Sequence, residues 1–130
     1  MAYNILIVDD SSTIRAVLVK ILKMTKLNIG QIYEAADGRE ALVTLQNNWI
    51  DLVLSDINMP VMSGVELINM MSQDPLLKVI PVVVISTDGS SARIDDLKKK
   101  GVKEYIRKPF TPETIGGIID KIMGGTDEKS

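Results

Sequence analysis

Hydrophobic and polar positions along the chain fall into two alternating regimes. Short β-branched runs at residues 5–8, 31–35, 52–55, 82–85 and, more weakly, 104–106 are separated by stretches in which apolar residues recur every three to four positions. That alternation predicts an α/β fold in which parallel strands are joined by crossover helices, with helices on both faces of the sheet. The first, third and fourth runs are almost wholly apolar, as strands covered on both faces must be. Tyr33 and Glu34 in the second run suggest an edge strand, and the fifth run is also half polar.

The helical stretches mark their own ends. Ser12 precedes Ile14, Val17, Leu18, Ile21 and Leu22 at helical spacing, and Asp37 and Ser63 each stand three residues before a glutamate, Glu40 and Glu66. Thr111 followed by Pro112 reads as an N-cap with proline at the first helical position. Ser90 or Ser91 caps a further helix running through Lys100 and ended by Gly101. The order is therefore β-α five times over, in one domain spanning residues 1–123. Residues 124–130, Gly-Gly-Thr-Asp-Glu-Lys-Ser, are expected to form a disordered tail. Gly116-Gly117 inside the last helix costs about 1 kcal/mol per glycine, so that helix either packs closely on something or is locally soft.

Composition narrows the chemistry. The 130 residues include neither cysteine nor histidine, which removes disulfides, thiolate or imidazole metal ligands, cysteine nucleophiles and the Ser-His-Asp triad. Fifteen basic against seventeen acidic residues leave a net charge of −2, with no global attraction to nucleic acid or anionic lipid. No long apolar segment or basic leader is present, so a cytoplasmic location is expected, with no membrane or nucleic-acid partner.

Ligands of an open parallel sheet bind beyond the carboxyl ends of its strands. Collecting the residues there gives Asp9-Asp10 after the first strand, Asp56 with Ile57-Asn58-Met59-Pro60 after the third, Ser86-Thr87-Asp88 after the fourth and Arg107-Lys108-Pro109-Phe110 after the fifth. Carboxylates ~4 Å apart repel by up to ~4 kcal/mol per pair at an effective dielectric of ~20, so this cluster asks for a cation. An all-oxygen donor set suits Mg²⁺ or Mn²⁺. The same repulsion predicts that, without metal, Asp9→Asn or Asp56→Asn stabilises the protein. A metal, a lysine and a hydroxyl together suit phosphoryl chemistry on a carboxylate.

With these residues in place, the chain over about residues 4–123 resembles a response-regulator receiver domain of the stand-alone chemotaxis (CheY-like) type. The resemblance rests on Asp9-Asp10, on Asp56-Ile-Asn-Met-Pro leading into Ser63-Gly64, on Ser86, on Tyr105 and on the Lys108-Pro109-Phe110 turn. It implies a flavodoxin-like sheet of order 2-1-3-4-5. It also implies that Asp56 is the phosphoacceptor, that Asp10, Asp56 and the backbone carbonyl of Asn58 ligate Mg²⁺ directly, and that Asp9 acts mainly through metal-bound water. Lys108 is then expected to pair with Asp56 or its phosphoryl oxygens through a turn with a cis Lys108-Pro109 bond. Ser86 and Tyr105 are expected to move together as the switch, and Asn58, Thr87 and Asp88 to tune the rate of phosphoryl loss.

A protein similar to these is not a dedicated enzyme but catalyses its own aspartyl phosphorylation and dephosphorylation. Its partners are a histidine kinase as phosphodonor and a protein target, such as a flagellar motor switch or other chemotaxis component. The expected contact is the face made by the fourth helix, fifth strand and fifth helix, with the protein a monomer. Lys98, Lys99, Lys100, Lys103 and Arg107 lie there, so an acidic target segment is a further expectation. One departure is Thr87, which stands where similar domains usually have alanine and leaves the dephosphorylation rate open. Trp49 precedes the third strand, far from the expected metal. Alternatives are a phosphorelay intermediate and, from other classes, a Mg²⁺-dependent aspartyl-phosphate phosphohydrolase or a flavodoxin-like cofactor binder. The adjacency of Asp9 and Asp10, and the absence of a cap insertion, speak against the hydrolase.

Overall fold

A computed structural model describes residues 2–87 and 90–124. Five strands, β1 (Tyr3–Val8), β2 (Ile29–Ala35), β3 (Leu52–Ser55), β4 (Val82–Ser86) and β5 (Val102–Arg107), alternate with five helices. These are α1 (Ser12–Met24), α2 (Gly38–Asn47), α3 (Gly64–Ser72), α4 (Ser91–Lys99) and α5 (Pro112–Ile119). All neighbouring strands are parallel, in the order β2-β1-β3-β4-β5, so the two half-polar runs do form the edges.

The two-residue period of a strand divides the core in two. Leu6, Val8, Val53, Val82 and Val84 face one side, where Ala41, Leu45, Leu67, Ile68 and Leu97 of α2, α3 and α4 cover them. Ile5, Ile7, Leu52, Leu54, Val83 and Ile85 face the other, under Leu18, Ile21, Leu22, Ile115 and Ile119 of α1 and α5. Both faces of β1, β3 and β4 are thereby removed from water, which is why their sequences carry no polar alternation. None of the described helices is long and apolar enough to cross a membrane.

Most helix starts lie where the sequence marks them. Asp37 caps α2, Thr111 caps α5 with Pro112 in the first turn, and Ser63 and Glu66 form a reciprocal capping box at α3. Ser90, the first of the two serines, caps α4. At α1 the cap is Ser11 rather than Ser12, because Ser11 has the extended backbone that lets its hydroxyl accept from the Ile14 amide. Gly101 follows α4 with φ of 105°, the left-handed conformation for which glycine is suited.

Gly116 and Gly117 do not mediate close packing: a Cβ on either would meet nothing within 4 Å beyond the helix's own neighbouring backbone. Instead α5 passes two residues further on into a π turn, Asp120–Gly124, and a shallow groove of about 340 Å³ lies beside the glycines against the end of α1. The expected tail lies, apart from Gly124, outside the described residues.

Candidate functional site

Register places the chemistry. Val8 of β1 is level with Ser55 of β3, so Asp9 and Asp56, each one residue further on, leave the sheet side by side. Their backbones are anchored there: the Asp56 amide donates to the Val8 carbonyl at 2.9 Å and the Asp9 amide to the Ala35 carbonyl at 3.0 Å. Ser86 and Arg107 are level at the ends of β4 and β5, and the Lys108 amide donates to the Ser86 carbonyl at 2.9 Å. Lys108 thus starts two strands away from Asp56. Its extended side chain crosses over the end of β4 to reach the middle of the sheet.

There its ammonium lies 2.9 Å from Asp9 Oδ2 and 3.0 Å from Asp56 Oδ2. Asp9 is only 2 % exposed and Asp56 8 %, so both carboxylates depend on protein donors for much of their solvation. The second oxygen of each is also engaged. Asp9 Oδ1 accepts from the Ser11 amide at 2.8 Å and Asp56 Oδ1 from its own following amide, Ile57, at 2.7 Å. Burial pushes the Lys108 ammonium down, but hydrogen bonds to Asp9 and Asp56 and their charges outweigh it and raise its pKa above the ordinary 10.5. The Lys108-Pro109 bond is cis.

Asp10 completes the cluster from the solvent side. Oxygens of Asp9, Asp10 and Asp56 lie within 4.8 Å of one another, and the Asp10 side chain is exposed. Three carboxylates face one ammonium, and that ammonium bridges two of them, Asp9 and Asp56. Hard oxygen donors with one open, solvent-facing side fit a Mg²⁺-sized cation that keeps some of its waters. The acid pair also serves the local structure, since Asp9 holds the amide at the start of α1.

The remaining expected residues are arranged around this centre. Asn58 is exposed on the loop after β3, Ser86 is fully buried at the end of β4, and Thr87 is exposed beyond it. Tyr105, level with Val84, is half-buried and packs against the α2-α3-α4 side of the core. Asp88 lies outside the described residues. Trp49 is exposed before β3, at the other end of the strand from Asp56, with its indole N–H donating to Asp51 at 2.9 Å.

Two contributors were not singled out in the sequence for the parts they play. Gly64 donates its amide to the Ile57 carbonyl at 2.7 Å, and a Cβ there would lie 2.0 Å from the Asp56 carbonyl oxygen; only glycine lets α3 begin this close to the acceptor segment. Arg15, in the second turn of α1, donates from Nη1 to the Asp9 carbonyl and from Nε to Glu34 at 3.0 Å. The Ser63-Gly64 pair was a visible signal for the first. Nothing local signals the second, because Arg15 and Glu34 meet only after β2 has paired with β1.

The sequence matches the family described as response regulator receiver domain over residues 5–120. It is 37 % identical over 125 residues to the chemotaxis protein CheY1 of Helicobacter pylori, covering 95 % of this chain and 99 % of that protein. It is 39 % identical over 120 residues to CheY-3 of Vibrio cholerae, covering 92 % and 91 %. Among solved structures, the chemotaxis response regulator CheY4 of Vibrio cholerae superposes with a TM-score of 0.84 at 32 % identity, covering 95 % of this chain and all of that one. CheY in a CheX-CheY-BeF3-Mg complex from Borrelia burgdorferi gives 0.82 at 33 % identity, covering 92 % and 88 %. The strand order, the acid cluster with its bridging lysine and these relatives agree: the chain belongs to the response regulator receiver domain family, of the CheY type found in chemotaxis.

Proposed function

We propose that this protein is a phosphorylation-dependent switch that accepts a phosphoryl group from a histidine-kinase phosphodonor onto Asp56 and, once phosphorylated, changes its affinity for a protein target. The observation that carries this reading is the convergence on one carboxylate, Asp56, of a bridging lysine and two further carboxylates at the carboxyl end of the sheet. An oxygen of Asp56 attacks phosphorus, and the bond to the donor's leaving atom breaks with its electron pair on that atom. In the phosphohistidine case that atom is an imidazole nitrogen. Lys108, already 3.0 Å from Asp56, follows the charge onto the new phosphoryl oxygens.

Asp9, Asp10, Asp56 and the Asn58 carbonyl would hold Mg²⁺, which supplies neutralisation of the phosphoryl oxygens when bound. The acyl phosphate brings roughly −1.5 to −2 of charge to the carboxyl end of β3, and the Ser86 hydroxyl, at the end of the neighbouring strand β4, is the hydroxyl proposed to donate to it beside Lys108. Drawing Ser86 toward the phosphoryl group vacates space beside β5 into which Tyr105 can pack, so the change reaches the α4-β5-α5 face. Shifting a two-state switch from 1:99 to 99:1 takes ~5.5 kcal/mol, and charge-assisted hydrogen bonds of ~1.5–3 kcal/mol each can supply it. A chemotaxis component, such as a flagellar motor switch protein, is the proposed target on that face.

Beryllofluoride, a phosphoryl mimic, tests the reading with amide NMR. With Mg²⁺ present it should bind stoichiometrically and shift the resonances of Ser86, Tyr105 and α4 together. Absence of Mg²⁺-dependent binding, or shifts confined to the residues next to Asp56, would contradict the acceptor or the switch respectively.

A further inference from the structure

Asp10 differs from the other two carboxylates in what holds it. Asp9 and Asp56 are each tied by Lys108 and by a backbone amide, whereas among the described residues the Asp10 carboxylate accepts no hydrogen bond and is exposed. Its place in the cluster therefore depends on the backbone that carries it. The peptide joining Asp9 to Asp10 lies just beyond β1, with Asp9 N still bonded to β2 and Ser11 already capping α1. The carbonyl of that peptide accepts from Arg15 Nη1. The same guanidinium is fixed by Glu34 on β2 through Nε at 3.0 Å, and its side chain is only 17 % exposed. One planar group thus clamps the peptide that aims Asp10 against the neighbouring strand.

We propose that Arg15, braced by Glu34, is a positioning residue for the cation site, setting Mg²⁺ affinity through the orientation of the Asp9–Asp10 peptide. The inference rests on the Mg²⁺-binding reading above. It is separable from simple electrostatics because the two predict opposite signs. A positive charge standing near an acidic cluster competes with a cation, so removing it should tighten binding, and removing the Glu34 charge should loosen it. A positioning clamp predicts that losing the guanidinium loosens binding while Glu34→Gln, which keeps an acceptor oxygen for Nε, has little effect.

Isothermal titration of Mg²⁺ into the full-length protein decides between them, with unfolding temperatures recorded in parallel. Arg15→Met and Arg15→Lys should each weaken Mg²⁺ affinity about ten-fold, although only the first removes charge, and Glu34→Gln should change it less than about three-fold. Affinity that is unchanged or tighter in Arg15→Met, with only the unfolding temperature altered, overturns the proposal and leaves Arg15 a structural contact. If Arg15→Met does not fold, Arg15→Lys carries the test, and wild-type affinity in that variant overturns it. A wild-type protein that takes up no Mg²⁺ overturns the metal reading itself, and this inference with it.

Discussion

Lys108 leaves the edge strand β5 and ends between two carboxylates of the central strands β1 and β3, with its ammonium 2.9 and 3.0 Å from their oxygens. This single side chain offsets part of the repulsion expected among the carboxylates alone. Asp9→Asn and Asp56→Asn each relieve repulsion, but each also gives up charge on a lysine contact, so Asp10 is where relief comes without that loss. Lys108→Ala leaves two buried carboxylates without their cation and should destabilise the metal-free protein by about 1–3 kcal/mol in chemical denaturation. Millimolar Mg²⁺ should recover part of that loss by binding the folded state. The pH dependence follows from the raised pKa: the lysine's contribution is fully present below its unfolded value of 10.5 and is lost as pH rises through the higher folded one. The stability gap between wild type and Lys108→Ala should therefore stay level up to about pH 10 and close above it. Asp9, Asp10, Asp56 and Lys108 were legible in the sequence because each follows a strand. The pairing of Lys108 with Asp56, 52 residues apart, was expected from resemblance alone, and its second bond, to Asp9, was not anticipated, because these residues meet only through sheet order.

Elements were legible where one local rule decides them. β1, β3 and β4 are built on almost wholly apolar runs, and α2, α3 and α5 carry a capping side chain three residues before the amide it serves. Boundaries slipped where two neighbours offer the same chemistry: Ser11 and Ser12 are equivalent as letters, and backbone conformation alone selects Ser11. The start of α3 shows a constraint of another kind. Its first residue, Gly64, sits where a Cβ would overlap the Asp56 carbonyl at 2.0 Å, and α3 cannot retreat without breaking its capping box and the Gly64–Ile57 bond. Gly64→Ala should cost at least about 2 kcal/mol in urea-induced unfolding, and should also displace Asp56 enough to weaken Mg²⁺ uptake. A near-neutral substitution would mean that the β3–α3 loop yields freely, and that the acceptor segment is not held as tightly as this packing implies.

At the scale of the molecule, the sheet order is what turns scattered letters into a site. Because β1 and β3 are central neighbours, the acids that follow them meet, and because β4 separates β3 from β5, the lysine must pass Ser86 to join them. The short β-branched runs and the helical stretches alternating with them made the α/β class legible, whereas the order 2-1-3-4-5 came from resemblance, since pairing between distant strands leaves no local mark. The same geometry gives the proposed switch its route, from Asp56 past Ser86 to Tyr105, a distance of two strands. The proposed switch depends first on Asp56 as the phosphoacceptor. Intact-mass analysis after incubation with acetyl phosphate, with and without Mg²⁺, tests that most directly, with Asp56→Asn as the control. One phosphoryl adduct that needs Mg²⁺ and is lost in the variant is expected. An adduct that persists in Asp56→Asn, or none in a protein that also fails to bind beryllofluoride with Mg²⁺, would contradict that role.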